Sequence, residues 1–206
     1  MPAPPTTVVN WTRLCPPFDQ GALGSCTANA TVGALMTVPF HRPGWNFTEV
    51  DAAQLYERAT QFNPPGEQYP PNDQGSSGPC IADALETAGV VKKSVHATDL
   101  ATMLGLLTLG PIIVGLHWYS SFDTPLADGE CAVAPGATVR GGHEVEAFGV
   151  DPVTKMVWFY QSWGASWGAL GNGTFSMTYD TIERQFTEGG DATSFTLASR
   201  VPTLKF

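Results

Sequence analysis

Cys26 and His143 are the two side chains whose types and neighbours could carry nucleophilic catalysis in this chain. Cys26 lies in Asp19-Gln20-Gly21-Ala22-Leu23-Gly24-Ser25-Cys26-Thr27-Ala28, at the head of an apolar run and six residues after a glutamine. A helix opening at Cys26 presents unpaired N–H groups and partial positive charge to the thiol. That predicts a lowered pKa and a thiolate able to attack carbonyls. The Gln20 amide and the Cys26 N–H would then donate two hydrogen bonds to the oxyanion of a tetrahedral intermediate. From this segment alone, a small buried cysteine opening an ordinary helix reads equally well. The second half of the chain shifts the balance. Gly141-Gly142-His143-Glu144-Val145-Glu146-Ala147-Phe148-Gly149-Val150 reads as a strand entered through two glycines, with His143 at its first position and a turn at Asp151-Pro152. Met156-Val157-Trp158-Phe159-Tyr160 reads as a second strand, running into Gln161-Ser162-Trp163-Gly164 and then Trp167-Gly168.

The order thiol, imidazole, amide, with these flanking residues, resembles that of the papain-like (C1-type) cysteine peptidases over about Val9 to Leu197. Gln20-Gly21 with Gly24-Ser25-Cys26 is similar to the family's Q-G-x-C-G-S-C-W block, and Gly142-His143-Glu144-Val145 to its G-H-A-V block. Gln161-Ser162-Trp163-Gly164 with Trp167-Gly168 resembles N-S-W-G…W-G, and Val9-Asn10-Trp11-Thr12 resembles the V-D-W-R that opens the mature domain. The short interval from Cys26 to His143 and the L-G-S-C-T-A form of the cysteine block look like a compact bacterial or phage-type branch without a propeptide. The resemblance implies an α+β, two-lobed fold with the active site in the cleft between a helical and a β-rich lobe. It implies a cysteine endopeptidase in which Cys26 forms an acyl-enzyme, His143 moves the proton, Gln161 orients His143 and Gln20 stabilises the oxyanion. Gly75, Gly24, Ser25, Gly142, Glu144 and Trp163 take the substrate-binding positions, with Gly75 pairing its backbone to an extended substrate and Trp163 shielding the His143–Gln161 contact. No cofactor and no metal are implied, and the partner is a peptide or protein substrate.

The departures matter as much as the matches. Leu23 stands where papain has a disulfide cysteine, and Asp73-Gln74-Gly75, similar to the family's N-G-G substrate loop, has lost the partner cysteine too. Thr27 replaces a tryptophan. Gln161 stands where the family has asparagine, which keeps two other readings open. One is a hydrolase of cell-wall stem peptides using the same dyad; the other is an inactive papain-fold binding module. Glu144 follows the catalytic histidine, at a position that in relatives lines the pocket for the side chain one position upstream of the cleaved residue. Strand alternation turns Glu144 and Glu146 away from His143; a carboxylate at the pocket base would favour Lys or Arg, and the other reading is a solvated glutamate on an open pocket rim.

The remaining residues must position these groups. Cys26 to Val38 reads as a buried helix stopped by Pro39, and Thr48-Glu49-Val50-Asp51 as a capping box before Ala52, Leu55, Tyr56 and Ala59. A Pro- and Gly-rich loop follows over 63–77, then a helix through Ile81, Leu85 and Ala88, another over 100–109, and strands over 111–118 and 173–178. One domain over 1–206 is expected, with a helical lobe at about 20–108 and a β-rich lobe at about 109–206 plus 1–19. A chain of 206 residues with 43% hydrophobic residues can bury a substantial core. A net charge of −9 argues against nucleic acid and anionic membranes as partners. Neither a bilayer-spanning stretch nor a signal peptide is legible. The expectation is therefore a cytoplasmic or phage-encoded monomer. Its four cysteines leave an odd number beside the nucleophile, and reduced thiols are the preferred reading. His41, His96 and His117 have no metal-ligand spacing.

Overall fold

Short polar side chains open most of the helices in this computed structural model, which describes residues 2–199. Helix α1 (Cys26–Leu35) is the exception, because Ser25 precedes it without making a side-chain cap bond. No side chain therefore caps its first N–H groups, and those of Cys26 and Thr27 turn to the Cys26 sulfur. Thr48 and Asp51 form the expected capping box of α2 (Glu49–Thr60), and Ser77 caps α3 (Gly78–Thr87). Asp99 caps α4 (Leu100–Leu107), and Thr178 caps α5 (Tyr179–Thr187). Helix α1 is buried from Thr27 through Leu35, whereas α2 buries the stripe Ala52, Leu55, Tyr56 and Ala59. The difference follows from position: α1 is wedged between the other helices and the sheet, while α2 has one face in water.

Among the described residues seven strands form one sheet: β1 (Val9–Asn10), β2 (Val91–Ala97), β3 (Ile112–Tyr119), β4 (Val139–Asp151), β5 (Met156–Tyr160), β6 (Thr174–Thr178) and β7 (Asp191–Leu197). The order is β2-β7-β3-β4-β5-β6, with β1 added on β4, and every ladder is antiparallel. Period-two alternation divides the core. Ile113 and Phe195 face the cluster that holds α1, α2 and α3, whereas Ile112, Val114, Val145, Ala147 and Phe159 face a second cluster. Helix α4 contributes Met103, Leu104, Leu106 and Leu107 to that second cluster. The architecture is a two-lobed α+β fold with a helical lobe and a sheet lobe.

The segment before α1 crosses both lobes. Val9 and Asn10 pair with Val150 and Gly149, and the Trp11 indole N–H donates to the Leu107 carbonyl at 2.8 Å. Leu14 N–H donates to Met36 O, and Val38 N–H donates to Thr12 O, each at 2.9 Å. Arg13 forms a buried ion pair with Glu146 at 2.9 Å, and the Thr37 hydroxyl donates to the other Glu146 oxygen at 2.6 Å.

Three sequence expectations need adjusting. Helix α1 ends at Leu35 rather than Val38, where the Met36 and Thr37 N–H groups turn back on the last helical carbonyls. His143 is not at a strand mouth: β4 starts at Val139, and Gly141 and Gly142 continue the ladder opposite Trp118 and His117. Strands β1, β2 and β7 and helix α5 went unread, since their hydrophobic patterns are short and broken by polar residues.

Candidate active site

The uncapped head of α1 carries the cysteine that the sequence marks as a candidate nucleophile. The first helical bond of α1 runs from Asn29 N–H to Ser25 O at 2.9 Å, so the Cys26 N–H lies ahead of the ladder. Cys26 and His143 line one cleft of about 320 Å³, together with Thr27, Gly75, Gly142, Glu144 and residues of β3 and β7. They come from opposite walls, Cys26 from α1 and His143 from β4.

Gln161 closes the set. His143 Nε2 and the Gln161 Oε1 carbonyl are 2.5 Å apart, and the same oxygen accepts the Ser162 N–H at 2.8 Å. The Ser162 N–H can only donate, so it fixes which end of the Gln161 amide faces the ring. His143 must then donate through Nε2, which leaves Nδ1 as the basic nitrogen. The extra methylene of glutamine is absorbed by folding the amide back on to the next residue. That fold leaves Gln161 Nε2 buried without a partner. Trp118 and Trp163 enclose the imidazole, with ring centroids 5.0 and 5.2 Å from it, and Trp118 and Trp163 meet edge to face at 5.0 Å. Trp163, His143 and Gly142 also line an adjoining hollow of about 490 Å³.

Gln20 is held with equal definition. Its backbone N–H donates to Ser162 O at 2.9 Å, its side-chain Nε2 donates to Leu23 O at 2.9 Å, and its Oε1 accepts the Ser162 hydroxyl at 2.6 Å. The Leu23 carbonyl can only accept, so the amide orientation is settled and one Nε2 hydrogen remains free.

Electrostatics differ from the sequence expectation at the nucleophile. Burial raises the Cys26 thiol pKa, although the N–H of Glu144 and contacts to Thr27 pull against it. The helix terminus alone does not outweigh desolvation. Burial also pushes His143 down to about 4, against the pull of its bond to Gln161. Each lone charge is disfavoured, while a proton passing from thiol to imidazole leaves the net charge of the pair unchanged. Cys15 is raised by burial despite Arg13 beside it, and burial raises Cys131 strongly. All four cysteines are free.

The expected substrate-contacting residues divide. Gly75, Gly142 and Glu144 line the cleft with Cys26. Gly75 adopts φ +81°, open to glycine, but its N–H donates to the Tyr56 hydroxyl at 3.0 Å and its carbonyl accepts from Asn63 Nδ2 at 2.8 Å. Its amide is thus occupied rather than free for an extended chain. The Gly24 N–H is taken by both oxygens of Asp73, at 3.1 and 3.0 Å. Ser25 is buried, its hydroxyl accepting from Asn29 at 3.0 Å. Asp73 also accepts the Tyr56 hydroxyl at 2.6 Å, so one carboxylate ties the loop at Gly24 to helix α2.

Sequence reasoning passed over Trp118, Ser162, Asp73 and Asp191 as site residues. Ser162 and Asp73 sat inside recognised motifs, but their hydrogen-bond roles leave no trace in spacing. Trp118 is brought to His143 by register with glycine, and Asp191 lies on an unread strand. Among the described residues no group of three His, Cys, Asp or Glu could hold a metal ion, and no helix is long and apolar enough to cross a membrane.

No protein-family model matches the sequence, and no curated protein matches it. Solved structures do match in fold. Xylellain, a cysteine protease from Xylella fastidiosa, is similar with a TM-score of 0.63 and 22% identity over 95% of this chain and 87% of that one. The bromelain protease from Ananas comosus, in complex with the E64 inhibitor, gives a TM-score of 0.65 and 15% identity over 94% and 100%. A Carica candamarcensis cysteine protease in complex with E-64 gives 0.66 and 14% over 93% and 99%. The chain has a papain-like fold.

Proposed function

We propose that this chain is a cysteine endopeptidase acting by acyl transfer from peptide bonds to Cys26. The carrying observation is the bond between His143 Nε2 and the Gln161 carbonyl, fixed by the Ser162 N–H. It leaves Nδ1 as the proton acceptor. Cys26 Sγ bonds to the substrate carbonyl carbon while its proton moves to His143, and the carbonyl becomes an oxyanion between the Cys26 N–H and the free Nε2 hydrogen of Gln20. His143 then gives that proton to the departing amine as the C–N bond breaks. Water, deprotonated by His143, cleaves the thioester and restores the thiol. The substrate is a peptide or protein, and a monomer suffices because every group in the mechanism comes from one chain. Hydrolysis of cell-wall stem peptides would use the same steps on a different substrate.

A specific observation favours a second reading, a papain-fold module that holds peptides without cleaving them. Cys26 is raised and His143 lowered by burial, and Gln161 replaces the family's asparagine with its buried NH2 left without a partner. Titration with E-64 during assay on a denatured protein substrate separates the two. The peptidase reading expects stoichiometric labelling of Cys26 and loss of nearly all turnover, with C26A and H143A both folded and inactive. No turnover and no labelling of Cys26 overturns it in favour of the binding module.

A further inference from the structure

Two buried polar ends remain unused beneath Cys26 and His143. Among the described residues, Asn29 Oδ1 and Gln161 Nε2 are both buried without a hydrogen-bond partner. The first can only accept and the second can only donate. Neighbours settle the orientation of both amides. Asn29 Nδ2 donates to the Ser25 carbonyl at 2.9 Å and to the Ser25 hydroxyl at 3.0 Å, while the Gln161 carbonyl accepts from the His143 ring and the Ser162 N–H. Both residues line one hollow of about 180 Å³, with Ala30 of α1 beside Asn29 and Phe18 and Tyr160 closing it. Asn29 follows Cys26 by three positions in α1, so helical spacing puts it on the same face as the nucleophile, one turn below. The hollow is therefore the floor of the proposed catalytic pair.

The hollow is too narrow at every point to admit a water molecule, so its polar groups must satisfy one another. The other polar side chains around it are already engaged. Arg13 directs its guanidinium to Glu146, Cys15 and the Pro16 carbonyl, and the Ser162 hydroxyl donates to Gln20. The ring of Tyr160 packs against Arg13 and Phe148. Glu144 also lines the hollow and has an unpartnered Oε1, but that oxygen lies 3.6 Å from the position of a Cβ on Gly78, at the wall of the catalytic cleft. One bond between Asn29 and Gln161 satisfies two desolvated groups that are costly to leave unpaired.

We propose that Asn29 is a positioning residue for the peptidase: its Oδ1 accepts a hydrogen bond from Gln161 Nε2, completing a chain from Ser25 through Asn29 and Gln161 to His143. The inference rests on the reading of Cys26 and His143 as a working pair and deepens it. The bond fixes the torsion that glutamine has and asparagine lacks, and so holds the Gln161 carbonyl toward the ring. It also polarises that carbonyl, which strengthens its contact with His143 as the ring takes a proton. Asn29 touches no reacting atom. It ties the helix that carries the thiol to the amide that aims the base.

The experiment measures kcat and KM on one peptide substrate for wild type, N29L, N29A, N29D, Q161A and N29L/Q161A. N29L removes the acceptor at nearly constant volume and should lower kcat by roughly 3- to 10-fold with KM little changed, as should N29A. In Q161A no amide remains to be held, so adding N29L should change kcat by less than about twofold. N29D, kept protonated by burial, can donate to the Ser25 carbonyl and still accept from Gln161, and should stay within about twofold of wild type. A loss from N29L as large in Q161A as in wild type, a defect confined to KM, or wild-type kcat in N29L overturns the inference and leaves the peptidase reading intact. A second readout needs no turnover. In magnetic resonance spectra of protein isotope-labelled at its glutamine side-chain amides, the Gln161 signals are those missing from Q161A. One of the two Gln161 amide protons should lie downfield in wild type and move upfield in N29L. Gln161 protons at the positions of an unbonded amide in wild type overturn the inference whatever the activity, and this spectrum is decisive should the Asn29 variants misfold. A bonded Gln161 amide in a protein without turnover upholds the Asn29 contact and removes the peptidase reading.

Discussion

Removing the Gln161 carbonyl tests the site at its most unusual contact. In Q161A the His143 Nε2–H loses its acceptor inside a pocket where His143 is 8% and Gln161 1% exposed, so water does not replace it. A hydrogen bond to a group that becomes charged during turnover contributes about 1.5–3 kcal/mol, or roughly 10- to 150-fold in kcat. The bond strengthens as the ring takes a proton, so the loss falls on kcat and leaves KM nearly unchanged. Q161N should keep activity within about threefold of wild type, because the glutamine carbonyl already folds back to the Ser162 N–H, within reach of the shorter amide. The pH profile gives a second readout. Burial holds His143 at about 4 and the Gln161 bond raises it, so Q161A should move the acidic limb of kcat/KM to lower pH. Q161E places a carboxylate against the ring and should move that limb upward. Steady-state kinetics across pH, with epoxide inactivation rates alongside, measure both. Wild-type kcat in Q161A, or a defect confined to KM, refutes the reasoning.

The Arg13–Glu146 pair carries a stability prediction, since its side chains are 3% and 1% exposed. R13M should cost about 3–5 kcal/mol at neutral pH by stranding a buried carboxylate, read as a drop of about 6–20 °C in Tm. Burial already raises Glu146, and losing Arg13 raises it further. The mutant's deficit should therefore shrink as pH falls and Glu146 takes a proton, and a deficit equal at pH 5 and pH 8 counts against this account. In D73A, Gly24 and Tyr56 lose their shared acceptor, so the loop bearing Gly75 should loosen and KM rise about three- to tenfold with kcat little changed. An unaltered KM removes Asp73 from any role in shaping the cleft.

What could be read from the sequence was what local chemistry dictates. Gln20, Cys26, His143 and Gln161 were legible because each sits in a run of small and aromatic residues whose types are otherwise hard to explain. The capping box at Thr48 and Asp51 was legible because both partners lie within four residues. Groups that depend on strand register were not. Trp118 meets His143 because Trp118 falls opposite Gly141, and Asp191 meets Glu144 across Gly115, pairings that no local pattern encodes. The thiol pKa departs from the expectation for a similar reason: a helix terminus is a local feature, whereas the burial that opposes it depends on the whole fold.

The strap formed by residues 9–20 ties the order of assembly to the proposed site. Its contacts reach from Asn10 to Gly149, from Trp11 to Leu107, and from Gln20 to Ser162 across an interval of 142 residues. Helix α1 is ten residues long and buried, so it too depends on its neighbours, and the Gln20 amide is aimed only once β5 and the turn after it are in place. Closing so long a loop is slow, because the entropy is lost before the contacts repay it. The Gln20 amide, the proposed oxyanion donor, therefore depends on a contact that closes late in the chain. A chain lacking the turn after β5 would leave the Gln20 amide unaimed, so the proposed site is assembled only when both lobes are complete.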